Sequence, residues 1–262
     1  MAALPSARRS AIRVVLTVPH AYGEPMLPWP QRETYIIHPS DTAAPRAAYW
    51  LNKHLLDMGA DCTVLMGVSD RKTNRDLNRE PGTVEDWAKL DPDDKTPDSP
   101  YGTFQQGVSG PTEELRRNPD AVFLDVHSFP YDFNWAQEAR RGGTLMDFVL
   151  PMWRGGQGSR TTNSMYILLP VSQGRRWFGK ILAASTKADA LQGSKVNYLI
   201  NHAVDDFNVQ RAALLEFNEL LEDDELDALC EKLAQSVVSS FSRDFEPEGI
   251  SPSYIKTLWT RT

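Results

Sequence analysis

The chain has little of what marks several common protein classes. Two cysteines in 262 residues, Cys62 and Cys230, give no disulfide framework and suit a reducing compartment. No apolar run is long enough to cross a bilayer, and no small-residue cleavage site follows the basic N-terminus, so we expect a cytoplasmic protein without a membrane partner. Lys and Arg number 28 against 35 Asp and Glu, which argues against a nucleic-acid partner.

Internal repeats and phosphate-binding loops are also missing. The glycine-rich segment 154–158 lacks the Lys-Ser or Lys-Thr ending that a P-loop requires. What the chain does have is ordinary globular composition, with 41% hydrophobic and 24% charged residues. Its length and composition predict one domain over residues 1–262 with a sizeable core.

Segments typical of strands alternate with segments typical of helices. The predicted strands are 12–18, 62–68, 121–126, 145–150, 165–169, 196–200 and 212–217. The predicted helices are 42–58, 174–191 and 223–241. Residues 82–111 are rich in Pro, Asp, Gly and Ser and predict a long loop excursion, and residues 246–262 predict an irregular tail. This alternation predicts a three-layer α/β sandwich with a mostly parallel or mixed twisted sheet and helices on both faces.

Polar residues that could take part in catalysis or metal binding lie at or just after the ends of four of these strands. In open α/β sheets, ligands bind beyond the carboxyl ends of strands, so these positions are the candidates for a site. They are His20 with Glu24, Arg71 with residues 76–79, Asp125 with His127, and Glu216 with Asn218. His202 follows the predicted strand 196–200 and is a candidate substrate contact or proton donor.

Two histidines and a carboxylate at neighbouring strand ends are the ligand set of a hydrolytic zinc site. Such a site has three protein ligands and an open position for water, which the metal activates. A further carboxylate must then move the proton of that water to the leaving amine, and Glu216 is the candidate. Asp125 precedes His127 by two residues and shares its strand face, so we expect it to orient that ligand.

The order of these motifs resembles N-formylglutamate amidohydrolases, which belong to the wider zinc carboxypeptidase-like fold. The resemblance rests on the sequence around His20, on Asp41 at a helix start, on Arg71 with residues 76–79, and on residues 125–128. It extends from about Val14 to Phe217, and it implies a zinc carboxypeptidase-like sandwich. It also implies one Zn²⁺ per chain, with manganese, cobalt or iron as alternatives.

The resemblance implies a role for each matching residue. His20 and His127 would bind the metal, and Arg71 would stabilise the oxyanion. Asn78 and Arg79 would hold a substrate carboxylate.

The third metal ligand stays open between two carboxylates. Three residues separate His20 from Glu24, whereas the carboxypeptidase loop has two, and Asp41 opens the first helix as a rival ligand. Glu24 is slightly favoured, and Asp41 has helix capping as its alternative role.

The function predicted from these residues is a metal-dependent hydrolase that cleaves an amide bond of an N-acyl amino acid. Its substrate would be a small molecule or peptide that bears a carboxylate. A carboxypeptidase or a peptidoglycan-type amidase would use the same site. A non-catalytic binding or structural protein on this fold is the alternative from another class.

Overall fold

The fold is seen in a computed structural model that describes residues 12–21, 41–67, 77–78, 80, 100–116, 118, 120–129, 164–193 and 197–241. Within these residues there are six β-strands and five α-helices. The strands are β1 (Arg13–Val18), β2 (Asp61–Met66), β3 (Ala121–Phe129), β4 (Met165–Leu169), β5 (Asp189–Gln192) and β6 (Ala212–Asn218). The helices are α1 (Ala44–Asp57), α2 (Pro100–Arg116), α3 (Trp177–Thr186), α4 (Tyr198–Asp205) and α5 (Asp223–Ser239).

The six strands form one mixed sheet in the order β2-β1-β3-β6-β4-β5. Strands β2, β1, β3 and β6 run parallel to one another, and β4 pairs with β6 in the antiparallel direction. The carboxyl ends of β1, β3 and β6 therefore lie side by side at one edge of the sheet. The mixed sheet predicted from the alternation is confirmed.

Helices cover both faces of the sheet, as the sequence predicts. Helices α1, α3 and α5 pack on one face, where Val14, Leu124 and Leu215 belong to the same buried cluster. Helices α2 and α4 pack on the other, where Val15, Phe123 and similar residues form a second cluster. All nine residues of β3 are buried, which fits a central parallel strand covered on two sides.

Helix α5 shows how local sequence signals fix an element. Glu222 and Glu225 form a reciprocal capping box at its start, and acidic residues in the first turn complement the helix dipole. Leu226, Leu233 and Val237 recur at helical spacing, and all three are fully buried against the sheet layer. The predicted helix is confirmed, with its end at Ser239.

Residues 100–116 form helix α2, so the predicted loop over 82–111 is wrong in this part. Phe104, Val108 and Leu115 lie on one face of the helix and are buried. Their helical period is hidden in the sequence by neighbouring glycines and by Pro111, which lies inside the helix. The side chain of Thr112 bonds the carbonyl of Val108 at 2.6 Å near that proline. Burial of the apolar face outweighs the low helix propensity.

Two other predicted elements differ from the structure. The predicted strand 196–200 is wrong, because Tyr198–Asp205 is helix α4, whose Leu199, Ala203 and Val204 are buried at helical spacing. The predicted helix 174–191 ends early at Thr186, where Lys187 takes a left-handed conformation with φ 56° and strand β5 follows. The predicted strand 145–150 and the predicted tail 246–262 lie outside the described residues.

No helix among the described residues is long and apolar enough to span a bilayer. Both cysteines are shielded: burial raises the pKa of the Cys62 thiol to about 12 and raises that of Cys230 further. These values fit packing roles for the two thiols.

Candidate metal centre

The candidate site lies at the carboxyl edge of the sheet, beside β1 and β3. His20 lies two residues after the end of β1, in a turn, and His127 lies near the end of β3. Because β1 and β3 are parallel neighbours, these two residues come to the same edge. Asp41 lies just before α1, and its backbone N–H donates to the carbonyl of His20 at 2.9 Å.

Three buried side chains converge at this edge. Nδ1 of His127 lies 2.9 Å from Oδ2 of Asp41, and Nδ1 of His20 lies 3.2 Å from the same oxygen. The two imidazole rings meet edge to face with centroids 4.8 Å apart. Each of the three residues is at most 4% exposed, so water screens them little.

This donor set fits a metal ion. Two imidazole nitrogens and one carboxylate oxygen all lie within 4.8 Å of one another. Tetrahedral zinc with bonds of roughly 2.1 Å places neighbouring ligand atoms about 3.4 Å apart. The observed separations from Asp41 Oδ2, 2.9 and 3.2 Å, need only a slight expansion to reach that spacing. His20, Asp41 and His127 are therefore suited to hold one divalent cation.

A fully buried carboxylate, Asp125, stands behind His127. Its Oδ2 lies 3.0 Å from Nε2 of His127 and accepts from Nδ2 of Asn78 at 3.1 Å. Its Oδ1 accepts from the hydroxyl of Thr17 at 2.7 Å. When His127 carries a proton on Nε2, Asp125 accepts from it, because an ionised carboxylate can only accept. In this orientation of the ring Nδ1 faces Asp41, as metal binding through Nδ1 requires.

The charges around His127 favour its protonated form. Burial alone lowers the pKa of His127, but the carboxylates of Asp125 and Asp41 outweigh burial and hold that pKa well above its ordinary value. A site of this kind is strongly attractive to positive charge, whether a proton or a metal ion supplies it.

Asn78 links the site to α4. Besides its contact with Asp125, its Nδ2 lies 3.0 Å from Nε2 of His127, and its Oδ1 accepts from the N–H of Leu199 at 2.9 Å. The sequence predicts Asn78 as a substrate contact. In the structure its amide contacts the residues that orient His127.

Glu216 lies beside His127 on the next strand. The two residues are register partners in the parallel pair β3–β6, so their side chains leave the same face of the sheet. Glu216 is 5% exposed and is also the antiparallel partner of Tyr166 on β4. The predicted proton carrier thus lies one strand away from the candidate metal cluster of His20, Asp41 and His127.

The structure brings together five of the residues predicted for the site, Asp41 among them. The five are His20, Asp41, Asn78, Asp125 and His127. The predicted capping role of Asp41 is wrong, because Ala43 is the N-cap residue of α1 and no side chain caps the helix. Asp41 faces the two histidines instead. Glu24, Arg71 and Arg79 lie outside the described residues.

His202 lies on α4 rather than in the predicted loop. Its Nδ1 contacts Asp206 one turn later, its ring stacks on Tyr198 with centroids 4.9 Å apart, and Phe207 meets it edge-on. These contacts are all within or next to α4, and none of them is with the metal-binding cluster.

Ser128, part of the predicted motif 125–128, supports the cluster, and so do Thr17 and Glu219, which were not singled out from the sequence. Thr17 lies opposite Asp125 in the register of β1 and β3, a pairing that alternation within β1 would have suggested. Glu219 follows β6 directly, and polar residues after a strand are the signal that would have singled it out.

Comparison with known proteins gives a fold and no family. No family model matches the chain, and no curated protein matches it. The chain is similar to the crystal structure of gene product Atu2144 from Agrobacterium tumefaciens, with 15% sequence identity and a TM-score of 0.57. The match covers 88% of this chain and 92% of that chain. At this identity the likeness supports the α/β fold alone.

Proposed function

We propose that the protein is a metal-dependent hydrolase that cleaves an amide bond of an N-acyl amino acid, on a zinc carboxypeptidase-like fold. The observation that carries this proposal is the convergence of His20 and His127 on one carboxylate oxygen of Asp41. Two imidazoles and one carboxylate are the ligand set of hydrolytic zinc enzymes that keep an open position. Zn²⁺ is the proposed ion, one per chain.

The metal would supply Lewis acidity, which polarises a carbonyl and makes water a nucleophile near neutral pH. The protein's own contribution is preorganisation. Asp125 fixes the tautomer of His127, while burial of the ligand side chains keeps competing water away. These features support a site built for one ion rather than a solvated acidic surface.

Glu216 is the proposed general base and then general acid. It is buried on the strand next to His127, at the carboxyl edge of the sheet where a substrate would bind. Its carboxylate would accept the proton of the attacking water and return it to the leaving amine.

The substrate class rests on the resemblance. Arg71 would stabilise the oxyanion, and Arg79, with Asn78 and His202 as further candidates, would hold the substrate carboxylate. An N-acyl amino acid or a peptide end offers both groups, an amide carbonyl for Arg71 and a carboxylate for Arg79. The proposed location is cytoplasmic.

Activity of Glu216→Gln tests this proposal. Metal-loaded protein is assayed on N-formylglutamate, other N-acyl amino acids, dipeptides and cell-wall peptides. We expect hydrolysis of N-acyl amino acids, with kcat about 10²- to 10⁴-fold lower in Glu216→Gln because general acid–base catalysis is lost. The variant should keep its metal. Glu231→Gln is the matched control, because Glu231 is exposed on α5 and its side chain bonds Gln235.

The outcomes separate the alternatives. Full activity of Glu216→Gln would overturn the role of Glu216. Cleavage of peptides alone would show a carboxypeptidase or peptidoglycan-type amidase. Metal binding with no hydrolysis of any substrate would favour a binding protein on this fold.

A further inference from the structure

Asp41 is held at the metal centre by contacts from outside its own segment. It lies before α1, not in a helix or strand, and no side chain caps that helix. A metal ligand outside regular structure needs fixed partners, because each rotatable bond left free lowers the affinity. The partners of residues 41–43 therefore decide how well Asp41 is placed.

Three consecutive backbone N–H groups of this segment bind the ends of three strands. The N–H of Asp41 donates to the carbonyl of His20 at 2.9 Å, after β1. The N–H of Thr42 donates to Oε1 of Glu219 at 3.0 Å, after β6. The N–H of Ala43 donates to the hydroxyl oxygen of Ser128 at 3.3 Å, in β3. The segment is thus tied to three neighbouring strands.

Ser128 and Glu219 act as one unit. The hydroxyl of Ser128 donates to Oε1 of Glu219 at 2.9 Å, the same oxygen that accepts from Thr42. The backbone N–H of Ser128 also donates to Oδ2 of Asp41 at 3.3 Å, which is the oxygen that faces both histidines. The side chains of this pair therefore hold the backbone of residues 42 and 43, and the backbone of Ser128 holds the carboxylate of Asp41.

The charge of Glu219 suits its position. Backbone N–H groups at the start of a helix carry partial positive charge, and a carboxylate is the acceptor they favour. Glu219 is half-buried, and its carboxylate accepts from Thr42, the residue before the N-cap Ala43 of α1. It lies outside the metal-binding cluster itself.

We propose that Ser128 and Glu219 are positioning residues that present Asp41 to the metal ion. This inference rests on the proposed metal centre. Residues that hold a metal ligand in place change the affinity when they are removed, although they never touch the ion. Removing either side chain should therefore weaken metal binding more than it destabilises the fold.

Two measurements on the full chain test this. The first is hydrogen exchange of the amides of Thr42 and Ala43 in metal-free protein, in Glu219→Ala, Ser128→Ala and Glu219→Gln. The second is the Kd for Zn²⁺, by competition with a chelating dye, in the same variants. Glu231→Ala, at an exposed glutamate of α5, is the control.

We expect faster exchange at Thr42 and Ala43 in both alanine variants, with amides in α5 unchanged. Their Kd for Zn²⁺ should rise about 10- to 100-fold. Glu219→Gln keeps a carbonyl oxygen that accepts from Thr42 and Ser128, so its Kd should stay within roughly threefold of wild type. The double variant Ser128→Ala/Glu219→Ala should have about the same Kd for Zn²⁺ as the single variant with the higher Kd, because the two residues form one unit.

Wild-type affinity in Glu219→Ala would overturn the positioning role, and so would faster exchange with an unchanged Kd. Unchanged exchange would show that the pair does not hold residues 41–43. A wild-type protein that binds no Zn²⁺ would overturn the proposed metal centre and with it the positioning role, while the exchange data would still report on the contacts themselves.

Discussion

Replacing Asp125 by Asn removes one charge from behind His127 and leaves the shape of the site intact. The amide oxygen of Asn can accept from His127 and Asn78, and its NH₂ group can face Thr17, whose hydroxyl turns to accept. The contacts therefore survive, and the charge is what changes.

The expected loss follows from the strength of these contacts. A hydrogen bond to a charged group contributes about 1.5–3 kcal/mol and a neutral one about 0.5–1.5 kcal/mol. The difference, about 1–1.5 kcal/mol, corresponds to about a tenfold change in an equilibrium constant. Loss of a carboxylate behind a metal-binding histidine weakens binding about 10- to 100-fold in other proteins. We expect the Kd of Asp125→Asn for Zn²⁺ to rise within that range.

The pH dependence of binding should change in a defined direction. Protons compete with the metal for Nδ1 of His127, so affinity falls as the pH drops below the pKa of this residue in the metal-free protein. The carboxylates hold that pKa well above its ordinary value in the wild type. Because Asp125→Asn removes one of them, its affinity should begin to fall only at lower pH.

Chelator competition between pH 5 and 9 measures both effects. Asp57→Asn is the matched control, since Asp57 is exposed at the end of α1. A Kd of Asp125→Asn within threefold of wild type, with the same pH dependence, would refute the role of Asp125.

Two further predictions concern stability. In metal-free protein, His127 has a folded pKa above its unfolded value, so its stabilising effect is complete below about pH 6.5 and is lost as the pH rises through the folded pKa. The urea concentration at the midpoint of unfolding should therefore fall between pH 6 and pH 9, and it should fall less in Asp125→Asn. An equal fall in the two proteins would contradict this prediction. In Gly67→Ala, the new Cβ would lie 2.1 Å from the carbonyl oxygen of Pro19, next to His20, so we expect a loss of about 1–3 kcal/mol in unfolding free energy and weaker Zn²⁺ binding. In the control Gly107→Ala the new Cβ meets no atom within 4 Å and lies inside α2, so Zn²⁺ binding should be unchanged and the unfolding free energy should rise by up to about 1 kcal/mol.

The sequence was a good guide where the signal is local. The strand before His20 is readable as a β-branched run and the strand that carries His127 as an apolar run, and their alternation with helices predicts both histidines at one sheet edge. The capping box and buried stripe of α5 are equally local. Helix α2 was hidden because its glycines and Pro111 resemble a loop, while its apolar face is recognised only once it packs on the sheet.

The choice between Glu24 and Asp41 could not be made from the sequence, because the position of Asp41 depends on tertiary contacts. Asp41 lies 21 residues from His20 and 86 from His127 in the chain. Its capping role was the local interpretation of a carboxylate near a helix start. The contacts with Ser128 and Glu219 that place it come from strands that follow much later in the chain.

Metal content tests the central claim most directly. Untagged protein, loaded with Zn²⁺ and dialysed, is measured by mass spectrometry beside the double variant His20→Ala/His127→Ala, with circular dichroism to confirm that both are folded. We predict about one zinc per chain in the wild type and none in the folded double variant. No retained zinc in the wild type, or equal zinc in both proteins, would contradict a metal centre at His20, Asp41 and His127.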